Sequence, residues 1–233
     1  MDKRIKYGVL ALFYGWLILG IMSCRKDRIE PKSNQIGFEY SPLSIGNTWL
    51  YQVDSIHFNA FTKSIDTFHF FEKHQIKDTS RGDLDQLHFH TDISRSTSKN
   101  GKFVFVRNQL RSITNYRLEI VDSNSRHVAL VFPPDLYNTW NPNQFNTKEK
   151  ENAEVINKLS ALEVDSIIYN DVVCVMHYDQ SFQILRRYKE EKFAKNIGLI
   201  FANQIDWTKK TIGDSTEIPN GFNFTYKLID FEN

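Results

Sequence analysis

The fold class that this sequence predicts is all-β: an antiparallel curved sheet, as a partly open barrel or a sandwich, with at most one short helix. Three observations predict it. Apolar and polar residues alternate with period two in one segment after another, the mark of strands buried on one face. Turn residues separate these segments at hairpin distances. Aromatic residues make up 14% of the chain, with 18 phenylalanines, and large rings suit pleated faces better than helix interiors.

In chain order, Gly46-Asn47 turns into a first strand in which Trp49, Tyr51 and Val53 alternate with Leu50, Gln52 and Asp54. The same pattern recurs in Phe68, Phe70 and Glu72; in Leu87, Phe89, Thr91 and Ile93; in 103–106; in Tyr116, Leu118 and Ile120; and in 128–132. Ser80-Arg81-Gly82, Lys99-Asn100-Gly101-Lys102 and Asp122-Ser123-Asn124-Ser125 punctuate them, and Asn100-Gly101 is a hairpin signal. The stretch 148–160 reads two ways. Asn146-Thr147-Lys148-Glu149 could cap a helix continuing through Ala153, Ile156 and Leu159. Val155, Asn157, Leu159 and Ala161 alternate equally well as a strand, which we favour, with Asn170-Asp171 turning into 172–178. The last strands fall at 183–188 and 198–203 and, after Pro219-Asn220-Gly221, at 222–231. Phe222, Phe224, Tyr226 and Leu228 share one face of the closing strand.

The N-terminus carries a different signal. Lys3, Arg4 and Lys6 precede an apolar stretch from Gly8 to Met22, and small Ser23 stands before Cys24. This is the pattern of a bacterial lipoprotein signal peptide, cleaved before Cys24, which is then lipidated, by palmitate among other acyl chains. The stretch is shorter than the about 20 residues of a spanning helix and is interrupted by Gly8, Gly15 and Gly20. The expected organisation is signal peptide 1–23, flexible tether 24–41 and a single β domain 42–233. The expected location is the outer membrane, lipid-anchored and facing the periplasm or the cell surface. Without residues 1–23 the chain keeps 26 basic and 27 acidic residues, a balance that excludes the basic footprint of a nucleic-acid binder. Cys174 is then the only other cysteine, so no intramolecular disulfide is possible, and its place among valines points to a buried, inert thiol.

Catalytic motifs are missing. The sequence has no Gly-x-Ser-x-Gly elbow, no glycine loop for phosphate and no His-Glu-x-x-His, so a non-catalytic protein without a cofactor is expected. A hydrolase would have to assemble its site from distant residues. His88 and His90 project to one strand face and could share a metal, given a third ligand such as His57, His69, His74, Asp85 or Asp92. Trp49, Tyr51, Phe222, Phe224 and Tyr226 could instead line an apolar cavity between the first and last strands, with Trp140 at its mouth. The expected role is binding or structural, with an apolar small molecule as the most concrete ligand. The alternative is a subunit docked on an envelope protein partner; the chain itself is expected to be a monomer.

The order of motifs resembles uncharacterised outer-membrane lipoproteins of the Bacteroidota with a mostly β domain. The resemblance rests on Ser44-Ile45-Gly46-Asn47-Thr48-Trp49-Leu50-Tyr51, on Trp140-Asn141-x-Asn143-x-Phe145-Asn146, on Tyr169-Asn170-Asp171-Val172-Val173 and on Lys192-Phe193-Ala194-Lys195-Asn196-Ile197-Gly198-Leu199-Ile200. Phe193 stands where the family has Tyr, and Asn196 where it has Gly. More distantly the pattern is similar to the half-open barrels of periplasmic lipoprotein carriers. The resemblance implies fold and location and no chemistry.

Overall fold

The computed structural model describes residues 36–82, 85–213 and 216–233. Its strands are β1 (Thr48–Asn59), β2 (Ser64–Arg81), β3 (Leu87–Ser96), β4 (Val104–Thr114), β5 (Arg117–Asp122), β6 (Ser125–Val131), β7 (Thr139–Trp140), β8 (Ala153–Val164), β9 (Ile167–Phe182), β10 (Leu185–Ala194), β11 (Gly198–Thr208) and β12 (Asn220–Glu232). All belong to one antiparallel sheet, ordered β6-β5-β4-β3-β2-β1-β12-β11-β10-β9-β8-β7. The sheet is nearly closed into a barrel with one seam. The ambiguous stretch is a strand from Ala153 onward, because Ala153 and Val155 are buried where β8 pairs with β9.

The first and last strands are neighbours, in register from Thr48 opposite Glu232 to Phe58 opposite Gly221. The chain's ends therefore close the sheet, and the seam falls in mid-chain between β6 and β7. Hydrogen bonds cross it. Val128 N–H donates to the Pro142 carbonyl (2.9 Å), the Trp140 indole to the Val128 carbonyl (3.1 Å) and the Asn146 amide to the Arg126 carbonyl (2.8 Å). These contacts satisfy part of an edge that would otherwise invite pairing with another chain.

Three hairpins turn on two-residue pairs that are both left-handed: Asn115-Tyr116 (φ 48° and 60°), Ser123-Asn124 (49° and 63°) and Asp165-Ser166 (51° and 69°). Positive φ at both central positions is the type I′ geometry, whose twist matches the flanking strands. Tyr116 is thus a turn residue and not a strand residue. The turn expected at Asn170-Asp171 lies instead at Asp165-Ser166, and β9 continues through 170–171, with Asp171 at a left-handed φ of 50° inside the strand.

Successive connections of an antiparallel meander alternate between two ends. At one end a 3-10 turn, Phe38–Tyr40, forms a plug: Ile36, Phe38, Tyr40 and Leu43 pack against buried Leu118, Val128, Leu130, Phe132 and Trp140. Asn196 N–H donates to the Glu39 carbonyl at 2.7 Å, and Lys195 Nζ lies 3.3 Å from the Glu39 carboxylate. Residues 36–41, expected in the tether, are therefore part of the domain, because their aromatic rings complete its core. The signal peptide and Cys24 lie outside the described residues.

The β8–β9 hairpin runs past the end of β10 at this same end. There Tyr169 OH donates to the Leu228 carbonyl at 3.0 Å. Tyr169, Val172 and Cys174 join a second cluster with Trp49, Tyr51, Val53, Ile76, Ile200 and Leu228. Each such side chain contributes about 1.5–3 kcal/mol on burial, so the two clusters hold the plugged end together. Cys174 is free and buried, and burial pushes its thiol up from the ordinary value, which keeps it protonated and unreactive.

The opposite end is a rim of hairpin tips. Phe61, Val104, Phe105, Phe182 and Ile212 are all exposed there. Among the described residues no helix is long and apolar enough to cross a membrane.

Candidate functional site

The inward face of the sheet changes character from plug to rim. Beyond the plugged end, side chains of β2, β4, β5, β6, β10, β11 and β12 line a cavity of about 320 Å³. Its wall includes His74, Arg107, Gln109, Arg111, Asp122, His127, Lys189, Glu190 and Glu191, with Phe224 and Tyr226 as the main apolar surfaces. A smaller void of about 70 Å³ toward the plug shares Arg111, His127 and Glu191 and is otherwise bounded by Trp49, Tyr51, Leu118 and Phe193, among others.

Glu72 anchors the polar side of this interior. It is fully buried and accepts from His74 Nε2 (2.7 Å), Arg95 Nε (2.7 Å) and Tyr226 OH (3.1 Å). Arg107 stands 3.6 Å away and also pairs with Asp122 at 3.0 Å. Burial alone would push the Glu72 carboxyl up. The hydrogen bonds from His74 and Arg95 and the charges around it outweigh that and hold it at about 2.

His74 is fixed on both nitrogens, since its Nδ1 faces Arg111 Nη2 at 2.8 Å. Arg111 can only donate, so Nδ1 accepts and the proton sits on Nε2, facing Glu72. A second proton would collide with the guanidinium. Burial accordingly lowers the His74 pKa, and the ring is a neutral strut with no nitrogen free to act as a base.

A second group lies across the barrel. His177 Nε2 is 2.9 Å from Glu191, whose carboxyl is held well below its usual range: burial acts to raise it, but Lys189 and His177 prevail. His127 is lowered to about 4, chiefly by burial. The Tyr226 phenol is raised far above its normal value by burial and the adjacent Glu72 charge. The lining of the large cavity thus presents fixed charges and hydrogen-bond donors beside two aromatic rings.

The residues singled out from the sequence separate into three groups. Phe224 and Tyr226 line the large cavity, as an aromatic face of the last strand should. Trp49 and Tyr51 border only the small void; their polar atoms are spent on the carbonyls of Ile197 (2.6 Å) and Leu199 (2.9 Å). Phe222 lines neither. Trp140, expected at a cavity mouth, is 8% exposed and packed in the core beside the seam, because its indole closes the gap between β6 and β7. His90 Nε2 pairs with Ser80 Oγ at 2.8 Å, while His88 Nδ1 is buried without a partner. Among the described residues no three His, Cys, Asp or Glu side chains are grouped to hold a metal ion.

Sequence reasoning missed Arg111, His127, Lys189 and Glu191. One signal was available: Glu72 lies in phase with Phe68 and Phe70, and a charge in phase with apolar residues belongs to a buried face. The cavity is consequently charged where an apolar one was expected.

No protein-family model matches the sequence, and no curated protein matches it. A solved structure from Parabacteroides distasonis, described as a "putative lipoprotein", is similar to this chain with a TM-score of 0.41 and 11% identity, covering 83% of this chain and 98% of that one. The fold and interior thus define a class, a plugged antiparallel barrel with a charged cavity.

Proposed function

We propose that this protein is an envelope lipoprotein, anchored through Cys24 to the outer membrane, whose barrel binds a small molecule without transforming it. The observation that carries the binding reading is the interior cavity of about 320 Å³, a size in the range of small-ligand sites. Its polar walls are already organised by Glu72, Arg107 and His74, which lowers the ordering cost of binding. The commitment of both His74 nitrogens, to Glu72 and to Arg111, supports a non-catalytic role, and the lipoprotein pattern ending at Cys24 supports the anchor.

Native mass spectrometry of the full-length chain purified in mild detergent tests the binding reading. A retained small-molecule mass that disappears in Ala202→Phe, which fills the cavity wall, is the expected result. Absence of any retained mass, together with a gain in thermal stability for Ala202→Phe, would show a dry void and sink the reading. Metabolic labelling with a palmitate analogue tests the anchor: label persisting in Cys24→Ala rules it out.

One observation favours a second reading, a subunit of an envelope complex. Phe61, Phe105, Phe182 and Ile212 are exposed on hairpin tips that share the rim end, and grouped apolar exposure of this kind marks association surfaces.

A further inference from the structure

Among the described residues, every charge of the cavity but one has an opposite partner within 4 Å. Glu72 is held by Arg95 at 2.7 Å, Arg107 sits against Asp122 at 3.0 Å and stands 3.6 Å from Glu72, Lys189 Nζ lies 3.8 Å from Glu191, and Glu190 is 3.5 Å from Lys192 Nζ, so four carboxylates are matched by four cations. Arg111 is the exception. Its Nη2 donates to neutral His74 (2.8 Å) and to Gln109 Oε1 (3.3 Å), its plane lies over the Trp49 ring at 5.2 Å, and its Nε is buried with no partner. None of these contacts is a carboxylate, yet the side chain borders both the large cavity and the small void. The charges of Asp122 and Glu72 reach it only from beyond ion-pair distance; an inward-facing guanidinium without a contacting anion is costly, and it is relieved by an anion that brings both charge and acceptors.

We propose that the cavity binds a small organic monocarboxylate, with Arg111 meeting the carboxylate and the rings of Phe224 and Tyr226 walling the rest of the molecule. The proposal rests on the ligand-binding reading above and adds the ligand's class. The charge count sets that class. One unbalanced cation suits one negative charge, whereas a phosphate dianion would face Asp122, Glu190 and Glu191 with too few cations to offset them. Arg also brings N–H donors to a carboxylate along with its charge; with Nη2 spent on His74 and Gln109, Nη1 and Nε are the ones left to donate. The aromatic pair supplies the apolar contact that a bare acetate would waste.

The experiment is calorimetric titration of the full-length chain, in detergent at pH 7, with benzoate and with benzamide, which has the same shape and no charge. Benzoate is expected to bind saturably and at least about tenfold more tightly than benzamide, and Arg111→Met is expected to abolish that difference. Arg111→Met also removes an unbalanced charge, so its melting temperature without ligand should be equal to or above that of the parent. Equal affinities for benzoate and benzamide, or a preference that survives in Arg111→Met, would overturn the proposal while leaving a ligand-binding barrel intact. If neither compound binds although a retained mass is present in the native spectrum, the monocarboxylate class is likewise wrong. If neither binds and no mass is retained, the binding reading itself fails.

Discussion

Replacing Glu72 by Gln removes one charge from the barrel's interior and nothing else of comparable size, so its consequence can be worked out. The carboxyl is shifted from 4.5 in the unfolded chain to about 2 in the fold. At about 1.4 kcal/mol per unit, the charged form is favoured by roughly 3 kcal/mol. Breaking a buried ion pair from one side gives a similar figure, about 3–5 kcal/mol, because Arg95, Tyr226 and His74 all donate to this carboxylate and an amide nitrogen would face one of those donors. For a domain of this length a loss of ~3 kcal/mol lowers Tm by about 6–12 °C at pH 7. The sign with pH follows from the depressed value. The contribution is fully present above the unfolded value near 4.5 and disappears as pH falls toward 2. Urea unfolding of both proteins between pH 7 and pH 2.5 reads this directly: the gap between parent and Glu72→Gln should be widest at neutral pH and nearly closed at the acid end. A gap that stays constant with pH, or one below about 1 kcal/mol at pH 7, would refute the assignment of Glu72 as a buried, charged hub.

Three further outcomes are expected. Ser166→Gly should raise stability by about 1 kcal/mol, or ~2–4 °C in Tm, because Ser166 is held at φ 69° in the β8–β9 turn; an unchanged or lower Tm in a thermal melt contradicts the type I′ assignment. Gly221→Ala should cost more than ~2 kcal/mol, since a Cβ there would lie 2.0 Å from the Asp206 carbonyl oxygen at a φ of 144°; normal urea resistance of the variant would count against the β11–β12 approach. His127 should stay neutral down to about pH 4. The unfolded chain takes up this proton near 6.5, so the contribution is complete above that pH and is lost as pH falls toward 4, and an imidazole resonance titrating near 6.5 would show that the ring is not buried.

Much of the barrel was legible because period two is a local property. Trp49, Tyr51 and Val53 alternate in the sequence and are all buried in β1, and the same reasoning located most of the later strands. What alternation cannot supply is the partner of each strand. That β1 closes on β12, and that the seam falls beside Trp140, depends on curvature accumulated over the whole sheet. Turn chemistry was legible where Gly or Asn marked it, as at 123–124, and hidden where the left-handed pair was Asp165-Ser166, since neither position carries the glycine that advertises positive φ.

The candidate site was harder to read for a related reason. In a barrel the inward face is continuous, so a residue's phase tells that it is buried but not whether it faces core or cavity. Trp49 and Phe224 have the same phase, and one is spent on the Ile197 carbonyl while the other walls the void. Glu72 gave the only warning, since a carboxylate in phase with Phe70 must find donors inside. Those donors came from β2, β3 and β12, a convergence that no single segment could announce. Arg111 follows from the same logic carried one step further. Once Glu72 and Asp122 have claimed Arg95 and Arg107, and His74 is committed as a neutral acceptor, the remaining guanidinium has no carboxylate in contact among the described residues. Among the described residues the interior therefore holds a charge balance that leaves one cation facing a space large enough to admit a counter-ion, and on the proposed reading a bound carboxylate would stabilise the barrel.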